Sequence, residues 1–202
     1  MTRLLTVCGS LQTVSMNRAA LNVAQAQALT FDNVTVDDFD RLADLPALNP
    51  DLIDAPGPHV DDWRHRVGIA DVVLIASPEY AGSLAGSLKN ALDWIVGSGE
   101  LYAKPVALLS AGTSGGHYAR QALVQTLTWQ GAHVVAHLGI AAPRTKSDAD
   151  GRLTDEPTIA AIRQLTALLI GALQMAPDVR LALVTAIVDA AGVEAGHIAP
   201  LL

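Results

Sequence analysis

The run Val72–Ala76 reads VVLIA, five hydrocarbon side chains with no polar residue between them. A strand without alternation has both faces covered, which places it at the centre of a parallel sheet. Parallel neighbours need long crossovers, most often helices, and the chain supplies them. Leu4–Val7 is a short apolar strand, followed by a helical pattern over Asn17–Leu29 with Leu21, Ala24 and Ala28 on one face. Val34–Phe39 is a second strand with interleaved polar residues. Residues 40–57, rich in Asp, Pro and Asn, read as a long loop, and Val60–Ile69 as a helix leading into VVLIA. Leu84, Leu88, Leu92 and Ile95 form the stripe of a helix over Leu84–Val96. Val106–Leu109 and His133–Ile140 are strands on either side of a helix over His117–Gln130. After a polar loop, Ala142–Glu156, come a helix over Thr158–Leu173, a break at Pro177 and a last helix over Val179–Ala190.

Strand–helix alternation repeated in this way specifies an α/β fold, a parallel sheet with helices on both faces. Ligands of such sheets bind beyond the carboxyl ends of the strands, near the switch in strand order. The loops after the first, third and fourth strands are therefore the candidate site.

The totals narrow the function classes. A chain of 202 residues suits one domain, or one domain with an extension. Its net charge of −7 argues against a nucleic-acid partner. An anionic cofactor is compatible with that charge, because backbone amides at a helix start hold phosphate locally. Only 16% of residues are charged, so part of the helix surface is expected to be covered by another subunit. Cys8 is the single cysteine, and no internal disulfide forms. The first apolar run is too short for a signal peptide, and Leu165–Val188 is interrupted by Gln174, Pro177, Asp178 and Arg180. These features predict a cytoplasmic protein with no membrane span.

The first loop, Cys8–Asn17, offers hydroxyls at Ser10, Thr13 and Ser15 and side-chain amides at Gln12 and Asn17, and opens into a helix. That is a phosphate cradle in composition; an ordinary turn capped by Ser15 or Asn17 has the same composition. It contains neither GxGxxG nor GxxxxGK[ST], so it is not a dinucleotide or Walker-type loop. In the second, SPEYAGS from Ser77 to Ser83, Pro78 fixes the backbone, Tyr80 offers a ring face, and Ser83 is a candidate helix cap. A packed Tyr80, a solvated Glu79 and a surface pair between Lys89 and Asp93 are the plain alternatives there. The third, SAGTSGG from Ser110 to Gly116, has three glycines that let backbone approach a ligand, or simply make a tight turn. Gathered at one crevice, the loops suit a phosphate, a flat ring and the edge of that ring: a mononucleotide of flavin size.

Three segments carry a resemblance. Gly9-Ser10-Leu11-Gln12-Thr13-Val14-Ser15-Met16-Asn17 resembles G-S-x-R-x-x-S-x-N. Pro78-Glu79-Tyr80-Ala81 followed by Gly86-Ser87-Leu88-Lys89-Asn90-Ala91-Leu92-Asp93-Trp94 resembles P-E-Y-N and G-x-L-K-N-A-x-D-W. Gly112-Thr113-Ser114-Gly115-Gly116 resembles the glycine-rich loop before the fourth helix. These are the motifs of the NADPH-dependent FMN reductases, and the likeness runs from about Leu4 to Ile140. It implies a flavodoxin-like three-layer sandwich with strand order 2-1-3-4-5. The helix break at Pro177 divides the chain into an FMN-binding domain over residues 1–175 and a helical extension over 176–202, expected to pack on that domain or on a partner subunit.

By the same resemblance FMN is the cofactor and NADPH or NADH the hydride donor, with electrons passing to a small-molecule acceptor such as a flavin or quinone. Quinone, azo-dye and chromate reductases are the near alternatives, and an FMN electron carrier or a flavin-free regulatory protein the distant ones. Ser10, Gln12, Ser15, Met16 and Asn17 are assigned to the phosphate end, Pro78, Glu79, Tyr80 and Ala81 to the isoalloxazine, and Ser110, Gly112 and Thr113 to its other edge. No side chain is assigned as a catalytic acid, base or nucleophile, since the flavin carries the chemistry. Helix ends or amides near the ring would stabilise its reduced form. The family's relatives imply a homodimer or homotetramer. Gln12 replaces the usual Arg and Ala81 the usual Asn, which leaves open how tightly flavin is held.

Other conspicuous residues have structural readings. Cys8 suits a small buried position. His133 and His137 lack nearby Cys or carboxylate partners in sequence and are read as structural, with no metal assigned. Trp63, Trp94 and Trp129 are read as helix-packing residues.

Overall fold

The computed structural model describes residues 1–201. Five parallel strands make the sheet: β1 (Thr2–Cys8), β2 (Val34–Phe39), β3 (Val72–Ala76), β6 (Pro105–Gly112) and β7 (His133–Ala141), in the order β2-β1-β3-β6-β7. Counting only these five, the order is 2-1-3-4-5, the flavodoxin-like arrangement. VVLIA is buried along its whole length between β1 and β6. β2, at one edge, is mostly half-buried, which its interleaved polar residues had announced.

Register decides where the site lies. Cys8 pairs with Ala76, and Ala76 pairs with Leu109. The chain therefore leaves β1 and β3 at the same level, β6 runs three residues further to Gly112, and the three candidate loops emerge at the same edge of the sheet.

The helices are α1 (Met16–Ala28), α2 (Pro58–Ile69), α3 (Gly86–Asp93), α4 (His117–Trp129), α5 (Glu156–Gly171) and α6 (Pro177–Ala190). Helix α1 packs against α5, and α4 lies along β6 and β7 with α6 beside it. Trp63, fully buried on α2, donates from Nε1 to the Ala91 carbonyl of α3 at 2.8 Å. Val184 and Val188 of α6 join the same core. The segment after α6 is tied back by His133, whose Nε2 donates to the Ala199 carbonyl at 2.7 Å. Among the described residues no helix is long and apolar enough to cross a membrane.

Three local expectations need correction. The helix expected over Leu84–Val96 is shorter, because Glu79–Tyr80 (β4) and Ser83–Leu84 (β5) pair as a small antiparallel hairpin. Ala81 (φ 49°) and Gly82 (φ 71°) form its two-residue turn, both in the left-handed region that type I′ turns require. Ser83 consequently sits in a strand, and the residue preceding α3 is Ala85, with no side-chain cap. The loop over 40–57 contains two short 3-10 turns, Leu42–Asp44 and Pro50–Leu52. Trp63 and Trp94 are buried as expected, whereas Trp129 is 59% exposed and stacks on His197 with ring centroids 4.3 Å apart.

Candidate functional site

The loop after β1 ends at Ser15, the N-cap of α1, whose Oγ accepts from the Arg18 amide at 3.5 Å. Ser10 Oγ accepts from the Gln12 amide at 3.3 Å, curling the loop. The first amides of α1 have no intrahelical acceptor, as at any helix start, so they and the helix dipole favour an anion here. Asn17 has another task. Its side chain is buried, Nδ2 donates to the Ala111 carbonyl at 3.1 Å, and Oδ1 accepts from the Ala111 amide at 2.9 Å. Its amide group thus clamps α1 to β6. Cys8 is buried, donates to the Ser10 carbonyl at 3.7 Å, and has its thiol pKa raised by burial.

The loop after β3 places Pro78, Glu79 and Tyr80 on the cavity wall. Glu79 is not a solvated carboxylate. Its Oε2 accepts from the Tyr118 and Ala119 amides at 2.7 and 3.1 Å, capping the start of α4. A carboxylate therefore already sits at the positive end of α4. Tyr80 is exposed and lies on the wall. Ala81 sits in the hairpin turn and lies off the cavity wall.

The loop after β6 contributes Gly112, Thr113, Ser114 and Gly116. Ser110 lies beneath it, fully buried and off the wall, donating to the Ser77 carbonyl at 2.7 Å. Ser77 Oγ in turn accepts from the Ala85 amide at 3.2 Å, so the two serines lock the floor of the site. Gly116 is the left-handed residue before α4 (φ 61°), and a Cβ there would fall 1.8 Å from Ser110 Oγ.

Together the loops enclose a cavity of about 950 Å³, within the range of small-molecule sites. Ser10, Gln12, Ser15, Met16, Asn17, Pro78, Glu79, Tyr80, Gly112 and Thr113 reach its wall as expected, whereas Ala81 and Ser110 do not. A fourth segment, Ala142–Asp148, completes it and carries no recognisable motif. The signal that points to it is its place after the last strand, at the same edge of the sheet. Ala142 is left-handed (φ 47°), and its amide donates to the Gly112 and Thr113 carbonyls at 3.1 and 3.3 Å. That bend brings Arg144 to the cavity wall.

These features fit a flavin mononucleotide. There is an anion-favouring helix start at one end and a tyrosine on the wall. Gly112 lies on the same wall, where a Cβ would meet no protein atom within 4 Å and would project into open space. A second groove, of about 930 Å³, runs between α1 and α5 and shares Val14, Ser15 and Gly151 with this cavity. Among the described residues, no three His, Cys, Asp or Glu side chains cluster to hold a metal. His133 is buried and bonded to Ala199, and His137 Nδ1 accepts from Arg120 Nη1 at 2.6 Å. Both pKa values are lowered, first by burial; Arg180 adds to this at His133, against the Ala199 hydrogen bond, and Arg120 and His117 at His137.

Comparison with known proteins agrees with this geometry. The family model described as NADPH-dependent FMN reductase matches residues 2–146. A probable NADPH:quinone oxidoreductase of Oryza sativa subsp. japonica is 36% identical over 176 residues, 81% of this chain and 87% of the relative. An NAD(P)H-dependent FMN reductase of Pseudomonas aeruginosa is 35% identical over 170 residues, 80% of this chain and 90% of the relative. Among solved structures, the flavoenzyme NAD(P)H:(acceptor) oxidoreductase of Paracoccus denitrificans superposes with a TM-score of 0.70 at 26% identity, covering 84% of this chain and 96% of that one. With its sheet order, its three motif loops and a family match over most of its length, the chain belongs to the NADPH-dependent FMN reductase family.

Proposed function

We propose that this protein binds FMN in the cavity at the carboxyl ends of β1, β3 and β6, uses NAD(P)H as hydride donor, and reduces a small acceptor. The observation that carries the reading is the convergence of all three motif loops on one cavity of suitable size. A quinone is the acceptor best supported, through the activity named for the rice relative. FMN, when bound, supplies the hydride chemistry, and the protein supplies position and electrostatics.

Ser10, Ser15 and the first amides of α1 hold the phosphate. Pro78 and Tyr80 frame the ring, and Gly112 and Thr113 meet its other edge. Glu79 acts at one remove: by capping α4 it fixes the β3 loop against the β6 loop. Asn17 fixes the phosphate loop against β6 from the other side. No acid–base pair is assigned, because hydride transfer requires none.

The protein is read as cytoplasmic and homo-oligomeric, without a nucleic-acid partner. Exposed Val96 and Trp129 border one shallow surface and support a subunit contact there. Residues 176–202 are read as an extension of the FMN-binding domain. Fluorescence titration of FMN into the purified protein tests the reading. Saturable binding at micromolar concentration or below is expected, and no quenching would overturn it.

A further inference from the structure

We propose that Arg144 supplies the cationic partner of the FMN phosphate, the role that the neutral Gln12 leaves open. This inference rests on the FMN reading above. Formal charges on the cavity wall come from Glu79, Asp148 and Arg144. Two are carboxylates, and each is committed. Glu79 caps α4, while Asp148 Oδ1 accepts from the Asp150 and Arg152 amides at 3.0 and 2.9 Å. A dianionic phosphate entering a cavity with two carboxylates and net charge −7 overall gains most from the one cation facing it.

Arg144 is free to act. It is exposed, and among the described residues its guanidinium has no hydrogen-bond or ion-pair partner. The nearer guanidinium in sequence, Arg18 on the first turn of α1, is committed elsewhere: its Nη1 lies 2.7 Å from both carboxylate oxygens of Asp38. The segment bearing Arg144 is held against the cradle at both ends. The Ala142 amide bonds the β6 loop, Ser147 Oγ lies 4.0 Å from Met16 Sδ at the start of α1, and a Cβ on Gly151 would sit 3.3 Å from Val14 Cγ1. The oxidised ring is uncharged, so the guanidinium discriminates toward the phosphate. The charge removed at Gln12 thus returns from the far end of the sheet.

The test is a titration of FMN and of riboflavin, which lacks the phosphate, into wild type, Arg144→Gln and the control Lys146→Gln. Lys146 is a neighbouring cation off the cavity wall. Arg144→Gln is expected to weaken FMN about tenfold, equivalent to ~1.4 kcal/mol, and to leave riboflavin unchanged. It should also flatten the salt dependence of FMN binding, and Lys146→Gln should match wild type. Unchanged FMN affinity in Arg144→Gln overturns the inference alone, as does equal weakening of FMN and riboflavin. A wild type that binds neither flavin overturns the proposed function and this inference with it.

Discussion

Asn17 and Ala111 are 94 positions apart and exchange two hydrogen bonds: the Asn17 amide nitrogen donates to the Ala111 carbonyl, and the Ala111 amide donates back to the Asn17 side-chain oxygen. Both residues are buried. One side chain thereby satisfies a donor and an acceptor of β6 and fixes the spacing between the loop before α1 and the loop before α4.

Replacing Asn17 with Ala leaves two buried backbone groups of Ala111 without partners, at about 1–3 kcal/mol each when unsatisfied. We expect Asn17→Ala to lower stability by about 2–6 kcal/mol in urea unfolding. FMN affinity should fall as well, because the two loops lose their mutual register. Full retention of both would show that the clamp is dispensable.

At Ala81 the sequence departs from the family's Asn, and the structure gives that position a backbone role. Ala81 is left-handed in a two-residue hairpin turn. Left-handed geometry costs an L-residue roughly 1–2 kcal/mol, and Asn tolerates it better. Ala81→Asn should therefore raise stability by about 0.5–1 kcal/mol while leaving FMN affinity nearly unchanged. A tightened FMN affinity would instead place that side chain on the ring.

Gly116 has no such latitude. A methyl group there would overlap Ser110 Oγ, in a backbone conformation already unfavourable to Ala. Gly116→Ala is expected to destabilise by about 2–4 kcal/mol or to fail to fold. Gly112→Ala, with open space at Cβ and no left-handed φ, should fold normally and weaken FMN, which thermal melting and flavin titration together would show.

The pH dependence follows from His133, fully buried on β7. Its native pKa lies below the ordinary histidine value, with burial the leading cause. The unfolded chain therefore takes up protons first as pH falls, and bound protons in the unfolded state lower stability. The contribution is fully present above about pH 6.5 and is lost as pH drops below it toward the native value. His133 Nε2 holds Ala199, and its Nδ1 has no partner among the described residues, so protonation adds a buried donor with nothing to meet. Urea midpoints should fall between about pH 7.5 and pH 5, with a shallower fall in His133→Gln.

The sheet was legible because each strand carries a local hydrophobic signal. Val72–Ala76 needs no partner to declare itself buried, and alternation with helices leaves little choice of layers. The hairpin at Glu79–Leu84 was not legible, since strands of two residues have no period to read. Side-chain contacts were not legible where a distant partner decides them. Asn17 has the composition of an anion ligand, and only Ala111, brought close by folding, makes it a clamp. Glu79 has the composition of a solvated carboxylate until α4 arrives beside it. Arg144 lies in a loop without a motif, and its place on the cavity wall depends on the bend at Ala142. Trp129 sits in a helical pattern, yet its side chain remains open to solvent.

The measurement that bears most directly on the central claim is an anaerobic titration of the FMN-loaded protein with NADPH, followed by addition of a quinone. We expect the flavin absorbance to bleach in proportion to the NADPH added and to return when the quinone is supplied. Tightly bound FMN that NADPH does not bleach would contradict the reductase assignment and leave an electron carrier on the same fold.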